Sequence, residues 1–203
     1  MYFSATIFAM LGFKTPTLTS LVVAVTNWVF TIAAILLIDR IGRRRILLYS
    51  LPFMILGLLL AGYGFSFMDL LSASNPHATT APASDQDAAI TVLISIIIYV
   101  GAYAIGMGCV PWMQSELFGL GVRSMGSGLA TATNWGSNFF AGMTFLPMMD
   151  ALTPAWTFAL YAAVCTLGLF LVWKKYPETS GLTLEEAAVL LEREDWGVEQ
   201  RPA

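Results

Sequence analysis

Residues 101–138 read GAYAIGMGCVPWMQSELFGLGVRSMGSGLATATNWGSN, two apolar segments joined by a short polar stretch at 116–123. The first segment carries several glycines and Pro111, and the second carries Asn134 and Asn138. In hydrocarbon, backbone loosened by glycine or proline must be covered by protein or by a water-filled cavity. Amide side chains at membrane depth are costly unless they are paired or face a bundle interior. The stretch therefore predicts two membrane helices that line a polar interior.

The composition of the whole chain indicates a membrane protein. Of its 203 residues, 57% are hydrophobic and 11% are charged, whereas a soluble domain is about 25% charged. Cys109 and Cys165 lie in apolar runs and His77 lies alone in a polar loop, so the sequence predicts no metal site. It also contains no nucleophile–base pair and no phosphate-binding loop, so we expect neither an enzyme nor a cofactor nor a nucleic-acid partner.

Apolar runs long enough to cross a bilayer, which takes about 20 residues, predict an all-α membrane protein. Five complete spans are expected, at 18–38, 46–67, 88–113, 124–148 and 155–173. Residues 1–11 are apolar but too short to cross, which predicts part of a further helix and a chain that is a fragment. The tail, 174–203, is hydrophilic, and a capping box at Thr183 and Glu186 predicts a short amphipathic helix there.

The basic residues predict the orientation. All ten Lys and Arg residues except Lys14 fall in the 39–45 loop, the 116–123 joint or the tail. Because Lys and Arg favour cytoplasmic loops, these segments and the C-terminus are expected to be cytoplasmic. We expect a multi-pass protein of the plasma membrane, in which the polar loop 68–87 faces outside.

Two of the expected spans carry polar faces. At 3.6 residues per turn, Ser20, Asn27 and Thr31 share one face of the first complete span. Asn134 and Asn138 share a face of the 124–148 span, together with Ser127 and Thr131. A polar cavity near the membrane midplane would explain both faces. Hydrogen bonds that only hold helices together are the alternative, because such bonds are common in membranes.

The 124–148 span also carries small residues at intervals of four, Ser124, Gly128, Ala132 and Gly136. Such a seam allows the close approach of another helix. The spans 46–67 and 155–173 are almost wholly apolar, so we expect them to face lipid or to support the others.

A cytoplasmic charge network is expected where the short loop DRIGRRR (39–45) meets carboxylates at the membrane edge. Arginine pairs with carboxylates through two parallel hydrogen bonds. The expected members are Asp39, Arg43, Arg44, Glu116, Arg123 and Glu178. The alternative is that these arginines only set the orientation.

Four motifs resemble, in order and spacing, the second half of the sugar porters of the major facilitator superfamily. They are DRIGRRR (39–45), PWMQSELF (111–118), TNWGSNF (133–139) and PETSGLTLEE (177–186). Together with MYFSATIF (1–8), they are most similar to fungal myo-inositol transporters. The resemblance covers nearly the whole chain. It implies the C-terminal six-helix half of a bundle that works by alternating access, with its first helix truncated and the N-terminal half missing.

The resemblance also implies roles for individual residues. Substrate contacts are implied for Asn27, Trp112, Asn134 and Asn138, and an outer gate for Tyr2 and Phe3. One feature departs from the family pattern, since Trp112 lies four residues before Glu116 instead of five and Pro111 takes the fifth place. Either the helix is locally unwound there, or the indole ring covers a different part of the ligand.

The implied function is transport of a neutral polyol or sugar, most specifically myo-inositol, in symport with a proton. Amides suit such a substrate because they donate and accept hydrogen bonds at once. The predicted spans hold no charged residue near their centres, which argues against an ion or an organic acid. The alternatives are a hexose transporter of the same family, an inactive truncated product and a nutrient sensor.

Overall fold

The computed structural model describes residues 7, 16–74, 83–113, 118 and 121–176. All regular structure in these residues is helical, which confirms the all-α prediction. The elements are α1 (Pro16–Ile41), α2 (Arg43–Ser74), α3 (Ala83–Ile105), a 3₁₀ turn (Met107–Cys109), α4 (Val110–Met113), α5 (Arg123–Leu152) and α6 (Pro154–Lys175).

Four helices contain stretches long and apolar enough to cross a membrane. These stretches are Ser20–Ile38, Arg43–Phe67, Asp87–Ile105 and Pro154–Lys175. Helix α5 has 30 residues, which is also enough to cross at 1.5 Å per residue. It is not among the four, because serine, threonine, asparagine and glycine interrupt its apolar sequence. Its assignment as a further span stays a prediction.

The helices form an arc whose order differs from their order in the chain. Helix α2 packs against α3 on one side and α6 on the other, α1 packs mainly on α3, and α5 packs on α6. The arc therefore runs α1, α3, α2, α6, α5. The two helices with predicted polar faces, α1 and α5, lie at its ends.

The centre of the arc is held together by close helix contacts at glycines. A Cβ atom on Gly57 would lie 2.9 Å from the backbone oxygen of Ser95, and one on Gly64 would lie 2.6 Å from Cγ2 of Val92. Residues without side chains let two membrane helices approach this closely. On the other side of α2, the rings of Phe65 and Phe158 stack with centroids 5.5 Å apart.

Two sharp turns in the described part of the chain are each formed by a single residue. Gly42 joins α1 to α2 with φ 94°, a conformation that glycine adopts without steric cost. Thr153 joins α5 to α6 with φ 67° and ψ 152°, a region that is essentially restricted to glycine. Pro154 begins α6, as predicted from its preference for the first helical position. Oγ1 of the fully buried Thr157 lies within hydrogen-bonding distance of the carbonyls of Met148 and Thr153, at 3.1 and 3.0 Å, and its one proton is shared between them.

Several helix ends differ from those expected from the sequence. Helix α2 continues to Ser74, beyond the apolar run, and α5 continues to Leu152. The expected span 88–113 is divided, because α3 ends at Ile105 and a 3₁₀ turn precedes α4. Gly106 at this break lies directly against Ser50 of α2. The α-helix is thus interrupted by a 3₁₀ turn just before Trp112, and both explanations of the shifted position of Trp112 stay open.

Candidate functional site

The concave side of the arc contains a cavity of about 250 Å³. Side chains of α1, α2, α3, α5 and α6 all contribute to its wall. Most of the wall is apolar, and its polar groups come from Ser95, Tyr99, Asn138 and Tyr161. The cavity is the place where the five long helices converge.

Helix α5 presents its polar face beside this cavity. Asn138 lines the cavity, and its Nδ2 donates to the carbonyl of Asn134, 3.3 Å away. Asn134 lies one turn towards the helix N-terminus, and both side chains are exposed in the structure. Thr133, on another side of the helix, donates its hydroxyl to the carbonyl of Leu129 at 2.9 Å. The amide of Asn134 and the Oδ1 of Asn138 are therefore exposed to a ligand, whereas the Thr133 hydroxyl donates within the helix.

The polar face of α1 lies at the opposite end of the arc. Thr31 donates to the carbonyl of Asn27 at 2.7 Å, and Thr26 donates to that of Val22 at 2.8 Å. These bonds satisfy both hydroxyls inside the helix. The side chain of Asn27 is half-buried, and it presents the amide of this face.

The structure brings together only some of the predicted substrate-binding residues. Asn138 lines the cavity, whereas Asn27 and Asn134 do not appear in its described wall. Trp112 lies in α4, but its side chain is outside the described residues, as are Tyr2 and Phe3 of the predicted outer gate. The substrate-binding and gate assignments therefore stay predictions.

Sequence reasoning missed the aromatic part of the cavity wall. Tyr99 and Ser95 lie four residues apart on α3, and Tyr161 faces them from α6. The spacing of Ser95, Tyr99 and Tyr103 by four within an apolar run was a usable signal, because it places hydroxyl groups on one helix face. The contribution of Tyr161 had no such signal in the sequence.

At the other end of the bundle, two arginines bind backbone carbonyls. Nη2 of Arg44 donates to the carbonyl of Trp173 in the last turn of α6, at 2.7 Å. A cation there satisfies an open carbonyl and complements the helix dipole. Nε of Arg123 donates to the carbonyl of Phe118 at 3.3 Å. The side chain of Asp39 and all of Glu116 and Glu178 lie outside the described residues, so the predicted carboxylate network stays a prediction.

Comparison with known proteins places this architecture in a family. Residues 1–191 match the family described as "Sugar (and other) transporter". The chain belongs to the sugar transporter family. Its members are membrane transporters, which agrees with the multi-pass arrangement of apolar helices described above.

Two fungal relatives show which members of the family this chain resembles. Myo-inositol transporter 1 of Cryptococcus neoformans var. grubii is 44% identical over 200 residues, which is 98% of this chain and 35% of that protein. Myo-inositol transporter 2 of Schizosaccharomyces pombe is 44% identical over 195 residues, covering 96% of this chain and 34% of that protein. The chain thus spans about a third of the length of these relatives.

Solved structures confirm the fold as that of the major facilitator superfamily. A double tryptophan mutant of the xylose transporter XylE superposes with a TM-score of 0.78 at 31% identity, covering 94% of this chain and 38% of that one. The proton:xylose symporter XylE bound to 6-bromo-6-deoxy-D-glucose gives a TM-score of 0.77 at 28% identity, with the same coverages. The expected resemblance to sugar porters, and among them to fungal myo-inositol transporters, is therefore confirmed.

Proposed function

We propose that this chain is part of a carrier that moves myo-inositol across the membrane by alternating access. The observation that carries the proposal is the polar face of α5. Asn138 lines the cavity at which the long helices converge, Asn134 lies one turn away on the same helix, and both side chains are exposed. The relatives named as myo-inositol transporters support the choice of substrate.

The chemistry of these groups suits a neutral polyol. Each hydroxyl of a polyol both donates and accepts, and a side-chain amide can do the same. The arc presents amides from both of its ends, Asn27 on α1 and Asn134 and Asn138 on α5. In this proposal, Trp112 covers the apolar C–H face of the ring, which is a usual role for an aromatic side chain in a mostly apolar site.

The remaining wall of the site would come from a second half of the transporter. The chain covers about a third of its relatives, and most transporters of this kind place the substrate between repeats. Helix α5 packs against α6, and a Cβ atom added at Gly128 or Gly136 would meet nothing within 4 Å. The small-residue seam is therefore open to a helix of the missing half.

Proton coupling and orientation complete the proposal. The superposed XylE structure is that of a proton:xylose symporter, and we extend proton coupling to this chain. The described helices carry their acidic residues near their ends, at Asp39, Asp69, Asp85, Asp87 and Asp150, so in this proposal the protonated group lies in the missing half. The distribution of Lys and Arg supports a cytoplasmic C-terminus, and we assign the carrier to the plasma membrane.

A hexose is the second candidate substrate, because the superposed XylE structure holds a halogenated glucose derivative. Uptake of labelled myo-inositol, glucose and xylose by the complete carrier, expressed in a transport-deficient yeast, separates the two. We expect saturable myo-inositol uptake that excess unlabelled glucose does not inhibit. Saturable glucose uptake without myo-inositol uptake would favour the hexose assignment.

A further inference from the structure

A second groove lies on the other side of α2 and α6 from the cavity described above. It has a volume of about 340 Å³, and these two helices supply its described wall. The wall residues are Leu59, Gly62, Tyr63 and Ser66 of α2 and Ala155, Trp156 and Ala159 of α6. None of them lines the first cavity, whose wall residues on α2 and α6 fall on the opposite faces of these helices. The groove is therefore on the convex side of the arc.

The surroundings of the groove are those of a lipid-facing surface. Both helices are apolar over lengths that cross a membrane, Arg43–Phe67 and Pro154–Lys175. At the groove, Tyr63 is 65% exposed and Trp156 is 71% exposed. The groove lies near the end of the apolar stretch of α2 that is remote from Arg44, and tyrosine and tryptophan are enriched where hydrocarbon meets water. A ligand of this groove therefore comes from the bilayer.

The floor of the groove consists of small residues. Gly62 lets α2 and α6 approach closely, since a Cβ atom there would lie 3.2 Å from the backbone oxygen of Ala155. Ala159 follows Ala155 by one turn of α6. Because no side chain longer than a methyl group rises from this strip, a flat and rigid ligand can contact it along its length.

The sides of the groove are aromatic. Tyr63 borders it from α2 and Trp156 borders it from α6. The Tyr63 ring stacks on that of Phe67 with centroids 6.4 Å apart, which holds this side in place. A preformed site favours a rigid ligand, because a flexible acyl chain loses more conformational freedom on binding. The shape thus favours a fused-ring lipid over an acyl chain.

The charges near the groove disfavour a lipid with a phosphate head group. The sequence has no Lys or Arg at 46–122 or 124–173, which include the groove and all residues close to it in the chain. Lys14 precedes α1, which packs mainly on α3. The charged residues near this end of α2 and α5 are Asp69 and Asp150. Phosphates are held by arginine and lysine, and carboxylates repel them.

Ser66 offers the groove a neutral polar group instead. Its side chain is half-buried and lines the groove. Ser50 and Ser95 donate to carbonyls of their own helices, at 3.1 and 2.7 Å. Ser66, in contrast, makes no hydrogen bond within the described part of the chain. Its hydroxyl is therefore open to a neutral hydroxyl of a ligand.

We propose that this groove binds a membrane sterol. The fused rings lie on the small-residue floor between Tyr63 and Trp156, and the single sterol hydroxyl bonds to Oγ of Ser66. Ser66 is the wall residue nearest to the end of the apolar stretch of α2, which is the level at which a sterol hydroxyl meets water. The volume of about 340 Å³ falls within the range of small-molecule sites, roughly 300–1,000 Å³. Because the groove is separate from the polyol cavity, this proposal does not rest on the proposed function.

The first test is photolabelling of the protein in phosphatidylcholine nanodiscs with a diazirine analogue of cholesterol. Labelled peptides are identified by mass spectrometry, and excess cholesterol is the competitor. Ala159→Leu is the variant, because a leucine there fills the groove from its floor. Ala163→Leu is the matched control, because Ala163 lies one turn further along α6, is exposed and is outside the described wall.

We expect saturable labelling around the groove, removed by excess cholesterol, in the wild type and in Ala163→Leu. Ala159→Leu should be labelled at least tenfold less. Equal labelling of the two variants, or labelling that excess cholesterol leaves unchanged, would overturn the site. Competition by phosphatidylserine as strong as that by cholesterol would show a phospholipid in the groove. Dimers that exclude the analogue, detected by native mass spectrometry, would show a second copy there, and either result would overturn the sterol assignment.

The second test uses Ser66→Ala and decides the matter if Ala159→Leu does not fold. Cholesterol and cholestane, which lacks the hydroxyl, compete with the analogue for each protein. The preference for cholesterol over cholestane should be about fivefold smaller in Ser66→Ala than in the wild type, since one net hydrogen bond contributes about 1 kcal/mol. An equal preference in the two proteins would show that Ser66 does not bind the sterol hydroxyl and would contradict the proposal.

Discussion

The centre of the arc and its α5 end are built in opposite ways. In the centre, Gly57 and Gly64 bring α2 against α3 so closely that an added Cβ atom would contact backbone or side-chain atoms within 3 Å. On α5, Gly128 and Gly136 have nothing within 4 Å of the same position, and Trp135 is 61% exposed. Glycine thus allows close helix contacts in the centre of the arc, whereas the space beside the two glycines on α5 is empty. Stability is concentrated in the centre, and the amides assigned to the polyol lie at the ends.

The largest expected effect comes from substitution in the centre. Gly57→Val places a branched side chain against the backbone oxygen of Ser95, 2.9 Å from the new Cβ. Because backbone cannot move aside as a flexible side chain can, α2 and α3 must separate, and the expected cost is about 1–3 kcal/mol or more. A melting temperature of the detergent-purified protein, followed by fluorescence size exclusion, measures the loss.

Gly136→Val on α5 is the matched control, since its new side chain enters open space. It should leave the melting temperature of the chain nearly unchanged. If the two variants lose equal stability, the contrast between the centre and α5 is wrong.

The next effect is on substrate affinity. Asn134→Ala in the complete carrier should raise the KM for myo-inositol about tenfold, since one lost hydrogen bond is worth about 1–1.5 kcal/mol. Surface expression should not change, because the side chain is exposed and does not support the core. Thr133→Val is the control, because the Thr133 hydroxyl bonds within the helix. An unchanged KM in Asn134→Ala would remove Asn134 from the site.

A smaller effect is expected at the end of the bundle that holds Arg44. Arg44→Ala removes the 2.7 Å hydrogen bond to the last turn of α6, a contact worth about 1 kcal/mol at a partly exposed position. If this contact and its carboxylate partners close the inner side, the resting carrier shifts towards the inward-open state. Labelling of a cytoplasmic-cavity cysteine should become severalfold faster than in the exposed neighbour variant Arg45→Ala. Equal labelling rates would reject a gating role for Arg44.

The smallest effect should be a gain of stability at the α5–α6 turn. Thr153 holds φ 67° and ψ 152°, where a β-branched residue is strained by about 1–3 kcal/mol. Thr153→Gly removes that strain but adds freedom to the unfolded chain, which offsets up to about 1 kcal/mol. A melting temperature higher by a few degrees is expected for a chain of this size. Leu152→Gly, at the last residue of α5, should lower it, and a drop in both variants would show that Thr153 is not strained.

Much of the fold could be predicted from local features of the sequence. Apolar runs located the long helices, Gly42 and Pro154 marked two of the turns, and the glycines before Pro111 indicated a disturbed helix. The order of the helices in the arc could not be read in this way. Helix α1 packs on α3 more than on its neighbour in the chain, and this choice depends on side-chain fit between distant segments.

The same holds for the candidate site: local sequence features predicted some of its residues, and those that depend on how distant helices meet were missed. Asn138 was predicted because polar residues on an apolar helix stand out by their spacing. Tyr161 and Phe158 were missed because aromatic residues in an apolar span look the same whether they face lipid or a cavity. Their role depends on α6 meeting α5 and α3 in space, which no local pattern specifies.

The proposal that α5 supplies a wall of a polyol site is tested most directly by labelling engineered cysteines on α5 and asking whether the substrate slows the labelling. The complete carrier is prepared with Cys109 and Cys165 replaced by alanine and with a single cysteine at position 134, 138 or 133. Each variant is labelled with a small maleimide, with and without saturating myo-inositol. We expect slower labelling at 134 and 138, unchanged labelling at 133, and no comparable protection by glucose. If myo-inositol leaves labelling at 134 and 138 unchanged in a carrier that still transports it, α5 does not supply a wall of the polyol site.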